Sequence, residues 1–181
     1  MSSYKTFREN IKPQLKSDLN LKNINTVPKV DKVIVALGIG SLATRKGVKD
    51  FSEFEANLAK ITGQKPQLIK SKKAISNFKL RENMPVMLRV TLRRDKAHDF
   101  LDRLVKLVLP RVRDFAGISG KSFDNQWNYS LWLQSYHLFP ELGLEDVVTP
   151  MGIQVSIAFS GWDKVKNQAL LKKLWFIFVE K

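Results

Sequence analysis

The chain has 181 residues, 44% of them hydrophobic and 27% charged, enough apolar material to pack a core in one domain of ordinary size, which sets aside disorder and fibrous architectures. Lys and Arg number 31 against 17 Asp and Glu, a formal net charge of +14, and there is no cysteine. The excess points to a polyanionic partner, nucleic acid ahead of an anionic membrane surface, and the missing thiols exclude disulfide frameworks, thiolate metal sites and cysteine nucleophiles.

Tyr4, Phe7, Ile11 and Leu15 recur at helical spacing, with Pro13 marking a kink or a boundary. Val33-Ile34-Val35-Ala36-Leu37 reads as a buried strand ended by Gly38 and Gly40. Ser52 and Glu55 form an S-x-x-E capping box ahead of Phe54, Leu58 and Ile61 on one face, and Gly63 supplies the stop, so a helix is expected between them. Gln67 to Ile69 and Val86 to Leu92 read as strands; in the second, Arg89, Thr91 and Arg93 alternate with Leu88, Val90 and Leu92, giving an apolar and a cationic face. The polar, turn-rich stretch from Ser71 to Pro85 is expected to be an exposed loop. Asp99 opens an amphipathic helix carrying Phe100, Leu101, Leu104, Val105 and Val108, with Pro110 near its end. A glycine-bearing loop over 116–124 leads to strands at Tyr129 to Leu133 and Gly152 to Phe159, and Asp163 caps a last helix through Leu174. No linker or internal repeat divides residues 1–181, so a single domain is expected. The longest apolar runs, Val33 to Leu37 and Leu174 to Val179, fall far short of the ~20 residues of a spanning helix, and the polar start lacks a signal sequence, so a soluble, unexported protein is expected.

The charge is unevenly spread. Residues 65–96 hold ten basic and two acidic side chains, whereas 122–163 hold no Lys or Arg and five acids. The cations Lys65, Lys70, Lys72, Lys73, Lys79, Arg81, Arg89, Arg93 and Arg94 straddle the loop and the polar strand face, with Asn77 and Phe78 among them, a mixture suited to phosphates and unpaired bases. Taken alone, such a run is also the ordinary solvated face of a protein, and Phe78 is equally compatible with anchoring the loop in the core. Trp127, Trp132, Phe139, Phe159 and Trp175 lack cationic neighbours and read as core or partner packing. Gly38-Ile39-Gly40-Ser41-Leu42-Ala43 satisfies the G-x-G-x-x-A dinucleotide turn, but that turn demands an immediate helix and a second parallel strand, and a basic Arg45-Lys46-Gly47 turn intervenes. His98 and His137 stand alone, at no metal-ligand spacing. Neither a metal or cofactor site nor a catalytic signature is indicated.

Gly63-Gln64-Lys65-Pro66, Lys73-Ala74-Ile75-Ser76-Asn77-Phe78-Lys79-Leu80-Arg81-Glu82-Asn83-Met84-Pro85-Val86, Val90-Thr91-Leu92-Arg93, Phe100-Leu101-Asp102-Arg103-Leu104 and Leu109-Pro110-Arg111-Val112-Arg113-Asp114-Phe115 follow one another in an order that resembles the bacterial large-subunit ribosomal protein L-five family, the 5S rRNA-binding ribosomal proteins. Lys121-Ser122-Phe123-Asp124, Asn128-Tyr129-Ser130-Leu131 and Phe139-Pro140-Glu141 continue the match. The resemblance runs from about Val27 to Ile157. It implies an α+β fold: one mostly antiparallel sheet with helices packed on one face and the other face open for RNA. It implies 5S rRNA contacts at Gln64, Lys65, Thr91 and Arg93. It also implies a basic loop, Lys72, Lys73, Asn77, Phe78, Lys79 and Arg81, that reaches large-subunit rRNA and the P-site tRNA near the central protuberance. Neighbouring ribosomal proteins, including one of the small-subunit head, are implied partners, no membrane is, and the implied location is a cytoplasmic ribosome, bacterial or organellar. The chain departs from the family at Ala36-Leu37-Gly38-Ile39-Gly40, where Asn-Met-Gly-Val-Gly is usual, at Gln126-Trp127 in place of Arg-Gly, and at Trp132 in place of Gly. Its apolar ending, Leu174-Trp175-Phe176-Ile177-Phe178, suggests a contact with a neighbour. The rivals are an RNA-binding assembly factor that uses the same domain off the ribosome and a dinucleotide-dependent enzyme built on Gly38 and Gly40.

Overall fold

The computed structural model describes residues 3–45, 47–48, 50–143, 149–161 and 163–179. The fold is α+β, and its five strands form one antiparallel sheet in the order β2-β3-β1-β5-β4. They are β1 (Val30–Gly38), β2 (Gln67–Lys70), β3 (Pro85–Leu92), β4 (Tyr129–Leu133) and β5 (Ile153–Phe159). Alternation decides what each strand buries: Leu88, Val90 and Leu92 of β3 are buried while Arg89 is exposed, and Ile153, Val155, Ile157 and Phe159 of β5 are buried while Gln154 is exposed. By contacts the chain divides into two compact units.

One unit comprises Met1–Val33, Leu92–Leu131 and Ser156–Lys181. Its N-terminal helical path runs through α1 (Ser3–Thr6), a π-helical turn (Phe7–Ile11) and α2 (Lys12–Asp18). Pro13 marks a boundary, as expected, but not a break: it sits in the first turn of α2, where the π-helical turn gives way to α-helix. The residue before it, Lys12, donates its N–H to the carbonyl of Phe7, five residues back, and the widened turn makes room for a residue that has no N–H and whose ring crowds the preceding turn. The same device recurs in the next helix, α5 (Arg94–Arg103), which continues as a π-helical turn (Leu104–Val108) and a 3-10 turn (Leu109–Arg111). Leu109, the residue before Pro110, donates to the carbonyl of Leu104. This helix starts at Arg94 and not at Asp99, because Ala97 and His98 are buried and extend the apolar face N-terminally. His98 packs its ring on Phe7 (centroids 4.9 Å apart) and Tyr4 (5.3 Å), and this burial lowers its pKa, with Asp99 and Asp95 opposing the shift. The last helix, α6 (Lys164–Lys173), is capped as expected: the Asp163 carboxylate accepts the Val165 N–H at 2.9 Å.

The other unit comprises Ile34–Thr91 and Trp132–Val155. It holds α3 (Gly40–Arg45) and α4 (Ser52–Thr62). The expected capping box does not form at α4. Phe51 is buried and tilted against Phe54 at 6.4 Å, which sets the helix start so that Ser52 is already its first residue. Asp50 does the capping instead, accepting the Ser52 N–H at 2.9 Å, and that backbone bond, followed by one from the Ser52 side chain, lowers its pKa. Phe54, Leu58 and Ile61 are buried as their spacing requires, and Gly63, at φ 64°, closes the helix in the left-handed conformation.

Candidate nucleic-acid interface

The second unit presents the loop between β2 and β3. The two strands pair antiparallel, Gln67 opposite Arg89 and Ile69 opposite Met87, with an irregularity between Ile69 and Lys70. Above that irregularity the chain does not dissolve into an open loop. Ser71 donates its N–H to the Met84 carbonyl at 2.8 Å and accepts from Asn83 N–H at 3.0 Å, and its hydroxyl bonds the Arg81 carbonyl. Ile75 and Leu80 exchange backbone bonds at 3.0 and 3.1 Å, closing a tip in which Ser76–Phe78 makes one 3-10 turn. The segment is therefore exposed, as its polarity predicts, but it is an internally tied hairpin.

Lys72, Lys73, Asn77, Phe78, Lys79 and Arg81 are all exposed. Phe78 is 68% exposed, which removes the core-anchor reading for its ring. Lys79 sits at φ 53°, a left-handed conformation that costs an L residue ~1–2 kcal/mol and would be free for glycine. The tip thus carries a cation where the backbone favours none. Among the described residues no ion pair engages Lys72, Lys73, Lys79 or Arg81, so their charge is not spent on internal carboxylates.

Beside the tip lies a groove of about 430 Å³, lined by Asn77, Phe78 and Lys79 on one side and by Ser41, Thr44 and Arg45 of α3 on the other. The Ile39 N–H donates to the Val86 carbonyl at 2.9 Å, which fixes the exit of β1 against the start of β3. Sequence reasoning missed these α3 residues because it weighed Gly38 to Ala43 as a glycine-rich strand exit or a dinucleotide turn and not as a helix facing the loop tip. Lys46 of the expected basic turn lies outside the described residues. The dinucleotide reading fails on topology, since that turn belongs to a parallel β-α-β unit and here the sheet is antiparallel.

Of the four residues expected to bind 5S rRNA, Gln64 and Thr91 come together. Both are half-buried, and the Gln64 amide donates to the Thr91 carbonyl at 3.4 Å. Lys65 is exposed next to Gln64 in sequence, and Arg93 is exposed just past β3, in the other unit. On β3 itself Arg89 leans on β2, its guanidinium donating to the Gln67 side-chain oxygen at 3.4 Å. Ala36, where the family usually has Asn, is only 8% exposed. The aromatic group splits: Phe139 and Phe159 are buried, while Trp132 is 62% and Trp175 74% exposed. Trp132 lies so close over Gly152 that a Cβ there would fall 2.1 Å from its ring.

The chain is thus an α+β protein whose antiparallel sheet carries an exposed cationic hairpin tied by its own backbone hydrogen bonds. The sequence matches the family described as ribosomal protein L5 over residues 23–81, and the C-terminal region of the same ribosomal family over residues 85–178. It is similar to the large ribosomal subunit protein uL5 of Synechococcus sp. (42% identity, 98% of each chain) and of Prochlorococcus marinus (44%, 98% of each). It is equally similar to that of Geobacter sp. (44%, 95% of each). The chain belongs to the ribosomal protein L5 family, whose members are structural proteins of the ribosome and not enzymes.

Proposed function

We propose that the chain is a structural constituent of the large ribosomal subunit that binds 5S rRNA in the central protuberance through Gln64, Lys65, Thr91 and Arg93. In this reading the hairpin residues Lys72, Lys73, Asn77, Phe78, Lys79 and Arg81 reach large-subunit rRNA and the P-site tRNA. Neighbouring ribosomal proteins, among them one of the small-subunit head, complete its surroundings. The observation that carries the reading is the hairpin: exposed cations without carboxylate partners, flanking an exposed aromatic ring, on backbone held by its own hydrogen bonds. Phosphates supply the missing counter-charge and an unstacked base supplies a partner for the ring.

Titrating 5S rRNA with the full chain over a range of salt tests it. Each neutralised phosphate contributes about −0.7 to −0.9 to the slope of log affinity against log salt, so five contacts give about −3.5 to −4.5. Tight binding with a flat slope overturns the electrostatic mechanism. Replacing Thr91 and Arg93 by Ala should cost 5S affinity more than replacing Lys72 and Lys73, whose targets are the other RNAs; the reverse order overturns that division. Co-sedimentation with mature ribosomes separates this reading from an assembly factor, which would be recovered only with immature particles.

A further inference from the structure

The unit built from Met1–Val33, Leu92–Leu131 and Ser156–Lys181 contains a second cationic groove, made of residues far apart in sequence. It measures about 600 Å³ and is lined by Gly117, Ser119, Gly120 and Lys121 on one wall, by Lys164, Gln168 and Lys172 on the other, and by Phe178 and Val179. Lys164, Gln168 and Lys172 stand four residues apart on α6 and so share one face, a ladder about 12 Å long at ~1.5 Å of rise per residue. The remaining lysines of the helix that face elsewhere have carboxylates: Lys166 pairs with Asp163 at 3.3 Å and Lys173 with Asp18 at 2.8 Å. Among the described residues no ion pair engages Lys121, Lys164 or Lys172. The groove's far wall is fixed by the tail. Ile118 donates to the Ile177 carbonyl at 2.7 Å, Val179 donates back to Ile118 at 3.0 Å, and Gly117, at φ 119°, lies where a Cβ would press on the Ile177 carbonyl at 3.0 Å. Like charges converge here on a hydrogen-bonded frame, without a carboxylate partner among the described residues.

We propose that this groove binds the sugar-phosphate backbone of a single-stranded RNA segment, at a site separate from the hairpin. The length of the lysine ladder selects a polyanion over a lone anion, since 12 Å covers about three stacked nucleotides at ~3.4 Å each. Lysine point charges and a glutamine amide recognise phosphate and sugar without reading sequence.

The test uses the full chain, isotopically labelled, and an oligouridylate of about 12 nucleotides, within the span that single-strand sites cover. On titration the amides of Ser119 to Ser122 and of Lys164, Gln168 and Lys172 should shift and saturate. The surface variant Lys121→Gln, Lys164→Gln, Lys172→Gln should abolish those shifts and flatten the salt slope by about 2, three contacts at ~0.7 each. Shifts confined to residues 71–84, an unchanged slope in the triple variant, or equal shifts from inorganic phosphate or polyglutamate at matched charge each overturn the proposal. Because the readout is local, it stands or falls independently of 5S rRNA binding at Gln64, Lys65, Thr91 and Arg93 and of RNA contact at the hairpin.

Discussion

Phe78 separates a binding role from a packing role more cleanly than any other residue of the hairpin. Full burial of a phenylalanine side chain is worth ~1.5–3 kcal/mol, and this one is 68% exposed, so removing its ring forfeits at most about 1 kcal/mol of fold stability on that scale. For a chain of this length that corresponds to a drop of about 2–4 °C in Tm. The hairpin closure is spared as well, because Phe78 enters it only through its backbone N–H, which donates to the Ile75 carbonyl at 3.3 Å. Stacking of a base on an aromatic ring is worth ~1–3 kcal/mol, about 5-fold to 150-fold in affinity. Phe78→Ala should therefore weaken binding of tRNA or a large-subunit rRNA fragment by at least about 5-fold while the melt barely moves, and Phe78→Trp should restore it. Calorimetric melting and fluorescence titration on the same preparations decide the matter. A melt lowered by well over 4 °C with unchanged affinity would refute the reasoning, since the ring would then be an anchor and not a platform.

Ala36→Asn, which restores the family's usual residue, should gain no RNA bond. At 8% exposure the amide is left short of partners inside the sheet, and a urea melt should show a loss of ~1–3 kcal/mol with no gain in 5S affinity. His98 is held neutral by burial, so the unfolded chain takes up its proton first. Its contribution to stability is complete above the ordinary histidine pKa of 6.5 and is lost as pH falls through the lowered folded value, a dependence that His98→Leu should flatten in melts from pH 7 to pH 4. Gly152→Ala should expel the Trp132 ring, lowering stability by ~1–3 kcal/mol and red-shifting its fluorescence. Adding Trp132→Ala to that variant should return most of the loss, and a double mutant as unstable as Gly152→Ala would place the cost in the backbone.

The strand pattern was legible because alternation is local: Leu88, Val90 and Leu92 are buried and Arg89 exposed, as their order along β3 requires. The helical faces of α4 and α5 were legible for the same reason. What sequence could not supply was which of two adjacent residues tertiary packing would draw inward. Burial of Phe51 moves the cap of α4 from Ser52 to Asp50, and burial of His98 starts α5 ahead of Asp99. Nor does local pattern show that a helix will pass through Pro13 by widening one turn. The hairpin residues of the site were legible from charge, whereas Ser41, Thr44 and Arg45 become neighbours of Phe78 only through the contact of Ile39 with Val86. The second groove was hidden by the cation-free stretch 122–163, which separates Lys121 from Lys164 in sequence.

The order within the hairpin changes what its sequence suggests about energetics. A polar, lysine-rich loop read as flexible would surrender ~1–2 kcal/mol per residue of backbone entropy on meeting RNA, enough over ten residues to consume most of its electrostatic gain. Here Ser71 ties both ends of the excursion and the Ile75–Leu80 pair ties the tip, so much of that cost is met during folding. The consequence is a division between shape and charge: neutralising Lys72 or Lys73 should alter salt dependence and leave the geometry of contact intact, whereas Ser71→Ala, which removes a hydroxyl bonded to the Arg81 carbonyl, should loosen the presentation of Asn77 and Phe78 without changing a single charge. If Ser71→Ala weakens RNA binding with an unaltered salt slope, preorganisation of the hairpin contributes to recognition separately from its cations; if it changes nothing, charge alone carries the contact.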